Sequence, residues 1–464
     1  MSDDSVPSTL STAAFVNNDG REYQRHDHDH NDRNRNGHSN SDSDDGYGRV
    51  RPLTSSHYPT DASANSHTQA NGHVPWRNRI PRALDYNRDT VAARTLVYGT
   101  AWKGDQTADL VYDAIRAGFR RFATAAQPKH YREDLVAAGV NRAIQEGIVT
   151  REELTIQTTF TGLPTQDPAN VPYSFGPDTT PDMQCLDSIS RSQKLFCNTQ
   201  DSDASSTGYL DEVMLHEMYS DDWDSTLLAW KAMCLAQTED QCRSVGISNV
   251  SYVGLHALVR WCQYAASVPS LWRICPKTVQ NRFRRGNGFD LAVRQLCWDF
   301  EINYQAFGVL KNNSNMLHDS KTVGHLAEHF DVSTSAALFA LVIVALCPPG
   351  DPGNFAERVN VIHGQVATFE EMKTLLEDVN KTIVALKDAL LWWVVQSKQE
   401  WTHARSQTPE METPGRRQQR VDRGVEYLKS LSALRQEHRS KEAHCHLNLL
   451  ETMHEFRYRC GNDW

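Results

Sequence analysis

From about residue 94 the chain alternates two patterns of apolar and polar positions. Short β-rich runs, TLVYGT, RFAT, LTIQTTF, YLDEVMLH, RSVGISN, KTVQNRF, INYQAF and RVNVIHG, are each followed by a stretch whose apolar residues recur three and four positions apart. The first such stretch, TADLVYDAIRAG, puts Val111, Ala114 and Ile115 on one face and closes on Gly118, a residue suited to ending a helix. Eight strand–helix units over roughly 290 residues predict an α/β fold, a (β/α)8 TIM barrel, placed at residues 89–386. Two insertions break the rhythm: CLDSISRSQKLFCNTQDSDASSTG before the fourth strand and the Pro/Gly-rich CPPGDPGNFAE before the eighth.

The flanks read differently. Residues 1–88 are dominated by Ser, Asp, Asn, His and Gly and carry too little apolar surface to offset the entropy of ordering, which predicts a disordered tail. Residues 387–464 predict a helical extension with a linker, PEMETPGRRQQR, between an apolar patch at Trp392 and Trp393 and one long polar helix. That helix carries Leu428, Leu431, Leu450 and Met453, and its heptad pattern fails between about Arg435 and His446, which excludes a sustained coiled coil. Both flanks lie outside the eight-unit repeat and are expected to be dispensable for the barrel, with the cut near Trp392 the riskier. The C-terminal helices are a candidate contact element for a protein partner.

Composition narrows the classes. The formal charge of -10 comes without a basic stripe, so no nucleic-acid partner is expected. The longest apolar run, AALFALVIVALC, is too short to span a bilayer, and the N-terminus lacks a secretory pattern. Ten cysteines without CxxC pairs suit reduced thiols, and together these features predict a soluble, cytoplasmic protein without membrane partners. No metal is expected: HDHDH at 26–30 lies in the low-complexity tail, and His444-Cys445-His446 lacks a second ligand pair.

A barrel of this kind works where its strands end. The residues there are Gly99 and Thr100 after the first strand, Tyr131 in the loop after the second, and His216 after the fourth. Ser248 and Asn249 follow the fifth, Gln280 lies on the sixth and Tyr304 on the seventh. Each has a structural reading too: Tyr131 as a half-buried aromatic, His216 as a hydrogen-bonded core histidine, Ser248 and Asn249 as caps of the next helix.

The motifs TLVYGTAWK, RFATAAQPKHYRE, TIQTTFT, VMLHE, SVGISNV, VQNRF and NVIHG, in this order, resemble the aldo-keto reductases over about residues 94–385, with QPKHYRED and VQNRF most similar to a fungal-type branch. The resemblance implies an oxidoreductase that exchanges hydride between a nicotinamide cofactor and a small-molecule carbonyl substrate. NADP(H) is the first expectation, with NAD(H) open. It implies Tyr131 as proton donor, His216 as the residue that orients the substrate, Gly99, Thr100, Ser248, Asn249 and Gln280 beside the cofactor, and Tyr304 as the aromatic on which its ring stacks. Two positions depart. The family's Asp falls on Ala123 and its Lys on Thr159, so the partners that tune the tyrosine are missing. The loop after the eighth strand offers neutral His363, a weaker phosphate partner than Lys or Arg. Lys103 and Lys129 flank the site as substitute cations. The residues therefore leave two expectations open: a reductase with its ion pair removed, or a catalytically inactive barrel that binds nucleotide or protein.

Overall fold

In the computed structural model, residues 90–196, 209–264, 273–346, 358–397 and 428–460 are described, all within the compact unit Ile80–Trp464. The expected tail at 1–88, the tail end of the first insertion, the second insertion and the 398–427 linker lie outside the described residues.

Eight parallel strands close into a barrel in the order β1 to β8, with β8 paired to β1. They are β1 (Leu96–Gly99), β2 (Arg121–Ala123), β3 (Thr155–Phe160), β4 (Leu210–Leu215), β5 (Cys242–Ser248), β6 (Thr278–Arg282), β7 (Asn303–Phe307) and β8 (Val359–His363). Every strand falls within one or two residues of its expected run.

Alternation along the strands divides them into two faces. The outward set includes Tyr98, Phe122, Ile156, Val213, Leu215, Val245, Ile247, Val279, Ala306 and Val361, all buried against the surrounding helices. The inward set joins a few apolar residues, Val97 and Met214 among them, to a hydrogen-bonded polar layer. Gln280 Nε2 donates across the barrel to Gln157 Oε1 on β3 (3.0 Å) and sideways to Gln305 Oε1 on β7 (2.8 Å), and Gln157 Nε2 donates to Glu212 Oε2 on β4 (2.7 Å). Such interiors are usually filled by branched apolar side chains. Here hydrogen bonds replace some of them, and burial pushes the Glu212 carboxyl up against the opposing bonds from Thr278 and Gln157.

The helix Thr334–Ala345 is apolar on all sides because it is enclosed on all sides, among the barrel, the helices Lys321–Phe330 and Phe369–Ser397, and the C-terminal helix Lys441–Arg459. No single helix among the described residues is long and apolar enough to cross a membrane.

The helix Phe369–Ser397 runs straight through residue 386, so the last barrel helix and the start of the extension are one element. The single long polar helix expected beyond the linker is instead two: residues 428–437 are helical, and Ser440 caps a second helix by accepting from the amide of Ala443. Leu431, Leu434, Leu447, Leu450, Met453 and Phe456 are buried in the same core as the barrel helices. At the far end, the fully buried Arg294, on the helix Leu291–Asp299, donates through Nη2 to the Cys460 carbonyl (2.9 Å). The extension is thus packed onto the barrel, and its apolar stripe is largely consumed there.

Candidate active site

The mouth of the barrel is assembled from loops that bond to one another. Thr100 closes β1 by donating its hydroxyl to the Ala123 carbonyl (3.0 Å). After β2 the chain continues beside β3, with the amides of Thr124 and Ala126 on the carbonyls of Gln157 and Thr159, then turns so that His130 and Tyr131 both donate to the Gln127 carbonyl. The Trp102 amide bonds the His130 carbonyl (2.8 Å), and the two rings stack at 3.8 Å, leaving Trp102 74% exposed at the rim. The loop after β3 joins through Gln166 Nε2 to the Ala126 carbonyl (2.7 Å). Gly162 lies where any Cβ would meet the Tyr219 ring at 2.8 Å, so this close approach of two loops requires glycine.

Four of the expected residues come together. The His216 amide continues the β3–β4 ladder onto the Phe160 carbonyl (2.9 Å), and its Nδ1 lies 2.7 Å from Thr161 Oγ1. The His216 carbonyl accepts from Asn249 Nδ2 (3.0 Å), which also reaches Ser248 Oγ (3.2 Å). Ser248 Oγ in turn donates to the Gln280 carbonyl (2.9 Å), with Gln280 Oε1 at 3.0 Å. Asn249 holds φ at 50°, a left-handed conformation that asparagine tolerates better than most residues. His216, Ser248, Asn249 and Gln280 therefore form one continuous network. It extends into the barrel through Gln157 and Gln305, which the sequence reading did not single out.

Charge at this mouth is sparse. Burial raises the pKa of the Tyr131 phenol, and no charged group among the described residues offsets it. Burial, then the neighbouring His130, lower His216 to about 4, so the ring is neutral at physiological pH. The register pairs Ala123 with Gln157, which places Ala123 and Thr159 on inward positions of adjacent strands; both are buried and neither carries charge. Lys103 goes to the other side of the mouth. Its Nζ donates to the Gly364 carbonyl and sits 5.6 Å over the Tyr98 ring, and its charge bears on His363 rather than on Tyr131.

Two expected residues lie elsewhere. Tyr304 neighbours the inward Gln305 and so points outward; it is fully buried and its hydroxyl donates to Asp290 Oδ2 (3.2 Å), leaving no face for a ring stacked at the mouth. The aromatic on the inward face of β7 is Phe307, two residues past Gln305, with the Arg282 guanidinium 5.2 Å from its ring centroid. Strict alternation from a known inward residue is the signal that finds it. His363 also points outward, against Phe339 (ring centroids 5.0 Å), and burial, then Lys103, lower its pKa to about 4, so it is neither exposed nor charged.

The Tyr304 cluster has its own consequence. Asn281 Nδ2 (2.7 Å) and the Tyr304 hydroxyl both donate to Asp290, yet burial outweighs them and raises its carboxyl from 3.8 to about 6. A raised carboxyl stabilises the fold below its unfolded pKa and loses that contribution as pH climbs through about 6, at a cost on the order of 3 kcal/mol at pH 7. Asp290→Asn keeps an acceptor and suits the local φ of 59°. It is expected to unfold at higher urea than wild type at pH 7.5, with the two midpoints converging by pH 4. Midpoints separated equally at both pH values would show that Asp290 does not titrate in this window.

Searches against known proteins find no matching family model. A stretch of 58 residues is 52% identical to a probable NAD(P)H-dependent D-xylose reductase of Aspergillus terreus, and 57 residues are 46% identical to an NAD(P)H-dependent D-xylose reductase of Kluyveromyces lactis. Each match covers 12% of this chain and 17% of the relative. The chain thus spans under a fifth of the length of the curated relatives it matches, and over that stretch it is similar to D-xylose reductases. Among solved structures, an aldo-keto reductase of Bombyx mori in complex with NADP is 18% identical, with a TM-score of 0.43 over 62% of this chain and 88% of that one. The aldose reductase of Schistosoma japonicum is 14% identical, with a TM-score of 0.44 over 62% and 87%. At the positions where the family resemblance implies Asp and Lys, this chain presents the buried pair Ala123 and Thr159.

Proposed function

We propose that this barrel binds NADP(H) at the C-terminal ends of its strands and exchanges hydride there with a small carbonyl or alcohol, slowly for want of a charge beside Tyr131. The observation that carries the reading is the His216–Asn249–Ser248–Gln280 network at one mouth. It fits a carboxamide: Asn249 Oδ1 has no partner among the described residues and can accept, while Ser248 and Gln280 can exchange their mutual bond for one to the ligand. Lys103, half-buried between β1 and the loop after β8, has further N–H groups and a charge to offer a phosphate, where His363 is neutral and enclosed against Phe339. Phe307 offers its ring to the mouth. The bound reduced nicotinamide supplies the hydride.

The remaining chemistry belongs to the side chains. Tyr131 stays protonated at neutral pH and can donate its hydroxyl proton, but burial without a cation makes the phenolate costly to form. His216 is neutral and offers a hydrogen bond rather than a charge. The missing charge at Ala123 and Thr159 also favours a second reading, a barrel that binds a dinucleotide without turnover. One titration addresses both. NADPH and NADH are expected to quench protein fluorescence saturably, with Asn249→Ala weakening NADPH by about tenfold, the loss of one or two hydrogen bonds. Absence of saturable binding at millimolar cofactor would remove both readings, and binding without measurable aldehyde reduction would leave the second.

A further inference from the structure

We propose that Thr161 is a positioning residue that fixes the neutral His216 ring with its proton on Nε2, so that His216 presents an N–H donor to the oxygen of a bound carbonyl. The inference rests on the reductase reading and assigns one residue to it.

Thr161 Oγ1 and His216 Nδ1 are 2.7 Å apart, and Thr161 is fully buried. A threonine hydroxyl has one proton to give, and among the described residues His216 Nδ1 is its only partner. With Nδ1 bare, the hydroxyl donates to it and both groups are satisfied. With the proton on Nδ1, the hydroxyl must accept, and its own proton is left buried without an acceptor. That disfavours the second tautomer by roughly tenfold or more. The neutral ring carries one proton, so excluding it from Nδ1 puts it on Nε2, which has no partner among the described residues.

The backbone holds both residues in place. The His216 amide is bonded to Phe160, the residue before Thr161, and the His216 carbonyl to Asn249. The Thr161 carbonyl is held by the Tyr173 hydroxyl (2.8 Å) and Gln166 Nε2 (3.3 Å). Neither partner can turn away cheaply. Burial and the nearby His130 keep the ring neutral, the form in which the tautomer matters.

A neutral imidazole N–H can polarise a carbonyl without giving up its proton. In the step assigned to this site, a C–H bond of the reduced nicotinamide would break as that ring is oxidised, the hydride forms the new C–H bond at the carbonyl carbon, and the C=O π pair moves to oxygen. Nε2–H stabilises that oxygen, and the Tyr131 phenol transfers the proton that completes the alcohol, its phenolate being reprotonated from water. In a site that lacks a cation beside Tyr131, this fixed dipole carries more of the stabilisation.

The test uses the full chain and two readouts. Nitrogen-15 spectra of the histidine rings at pH 7, with the His216 signals identified by their loss in His216→Gln, are expected to show Nε2 protonated and Nδ1 bare. Thr161→Val should move both ring-nitrogen shifts and lower kcat for an aldehyde by about tenfold, a part of the 10²- to 10³-fold cost of losing an oxyanion donor outright. Thr161→Ser should restore both. A wild-type proton on Nδ1, or ring shifts unchanged by Thr161→Val, would overturn the proposal. The wild-type spectrum decides even where the valine variant does not fold. Because the spectra need no turnover, an inactive barrel with the expected tautomer would count against the reductase reading and leave the Thr161 assignment standing.

Discussion

Ala123→Asp combined with Thr159→Lys is expected to raise aldehyde reduction by about 10²- to 10⁴-fold, the usual worth of a tuned proton donor. The two positions are inward-facing on adjacent strands and buried, so their new side chains would meet each other in a low-dielectric mouth. A lysine ammonium near Tyr131 opposes the burial that now raises the phenol's pKa, and the aspartate keeps the lysine paired. The single variants separate the contributions. Ala123→Asp alone leaves a carboxylate without a partner and is expected to cost about 3 to 5 kcal/mol of stability, with little gain in rate. Steady-state kinetics and denaturant unfolding on the four proteins complete the cycle. A double variant that binds NADPH and still shows no turnover would point to a barrel specialised for binding, and wild-type turnover that survives Tyr131→Phe would move the proton donor elsewhere.

The second large effect concerns the C-terminal helices. Ending the chain at residue 427 removes seven large buried apolar side chains, Leu431, Leu434, Leu447, Leu449, Leu450, Met453 and Phe456, from the shared core. At about 1.5 to 3 kcal/mol each, the loss is on the order of 10 kcal/mol, comparable to the whole stability of an ordinary domain. It also strips the carbonyl from Arg294, whose Nη1 already lacks a partner among the described residues. The truncated chain is expected to aggregate or to lose its cooperative transition. A truncated protein that stays monomeric in size-exclusion chromatography and unfolds at the wild-type urea midpoint would show the helices to be dispensable.

That expectation reverses the one drawn from the sequence, and the reason is physical. A strand announces itself locally: RSVGISN and KTVQNRF each carry their own alternation, and β5 and β6 fall within a residue of them. The C-terminal helices carry few apolar residues per turn, and their worth depends on the helices Thr334–Ala345 and Phe369–Ser397, remote in sequence. The site divides the same way. His216, Ser248 and Asn249 were legible because they end strands in a repeat whose phase is clear. Gln157, bonded to Gln280 over 123 positions, depends on barrel closure, which no local pattern encodes. The resemblance points to Tyr304 as the aromatic of the seventh strand, and the alternation that turns it outward selects Phe307.

The Arg294–Cys460 contact spans 166 positions, and it has a meaning for how the chain is made. During synthesis, at roughly 5 to 20 residues per second, the seventh unit waits some 10 to 30 s for the acceptor that its guanidinium will hold. In that interval a strong cation lies on a surface not yet covered, and the helix Thr334–Ala345 lacks one of the helices that enclose it. Until the segment around Cys460 has emerged, the growing chain therefore carries an uncovered apolar face, a place where chaperone protection matters during synthesis.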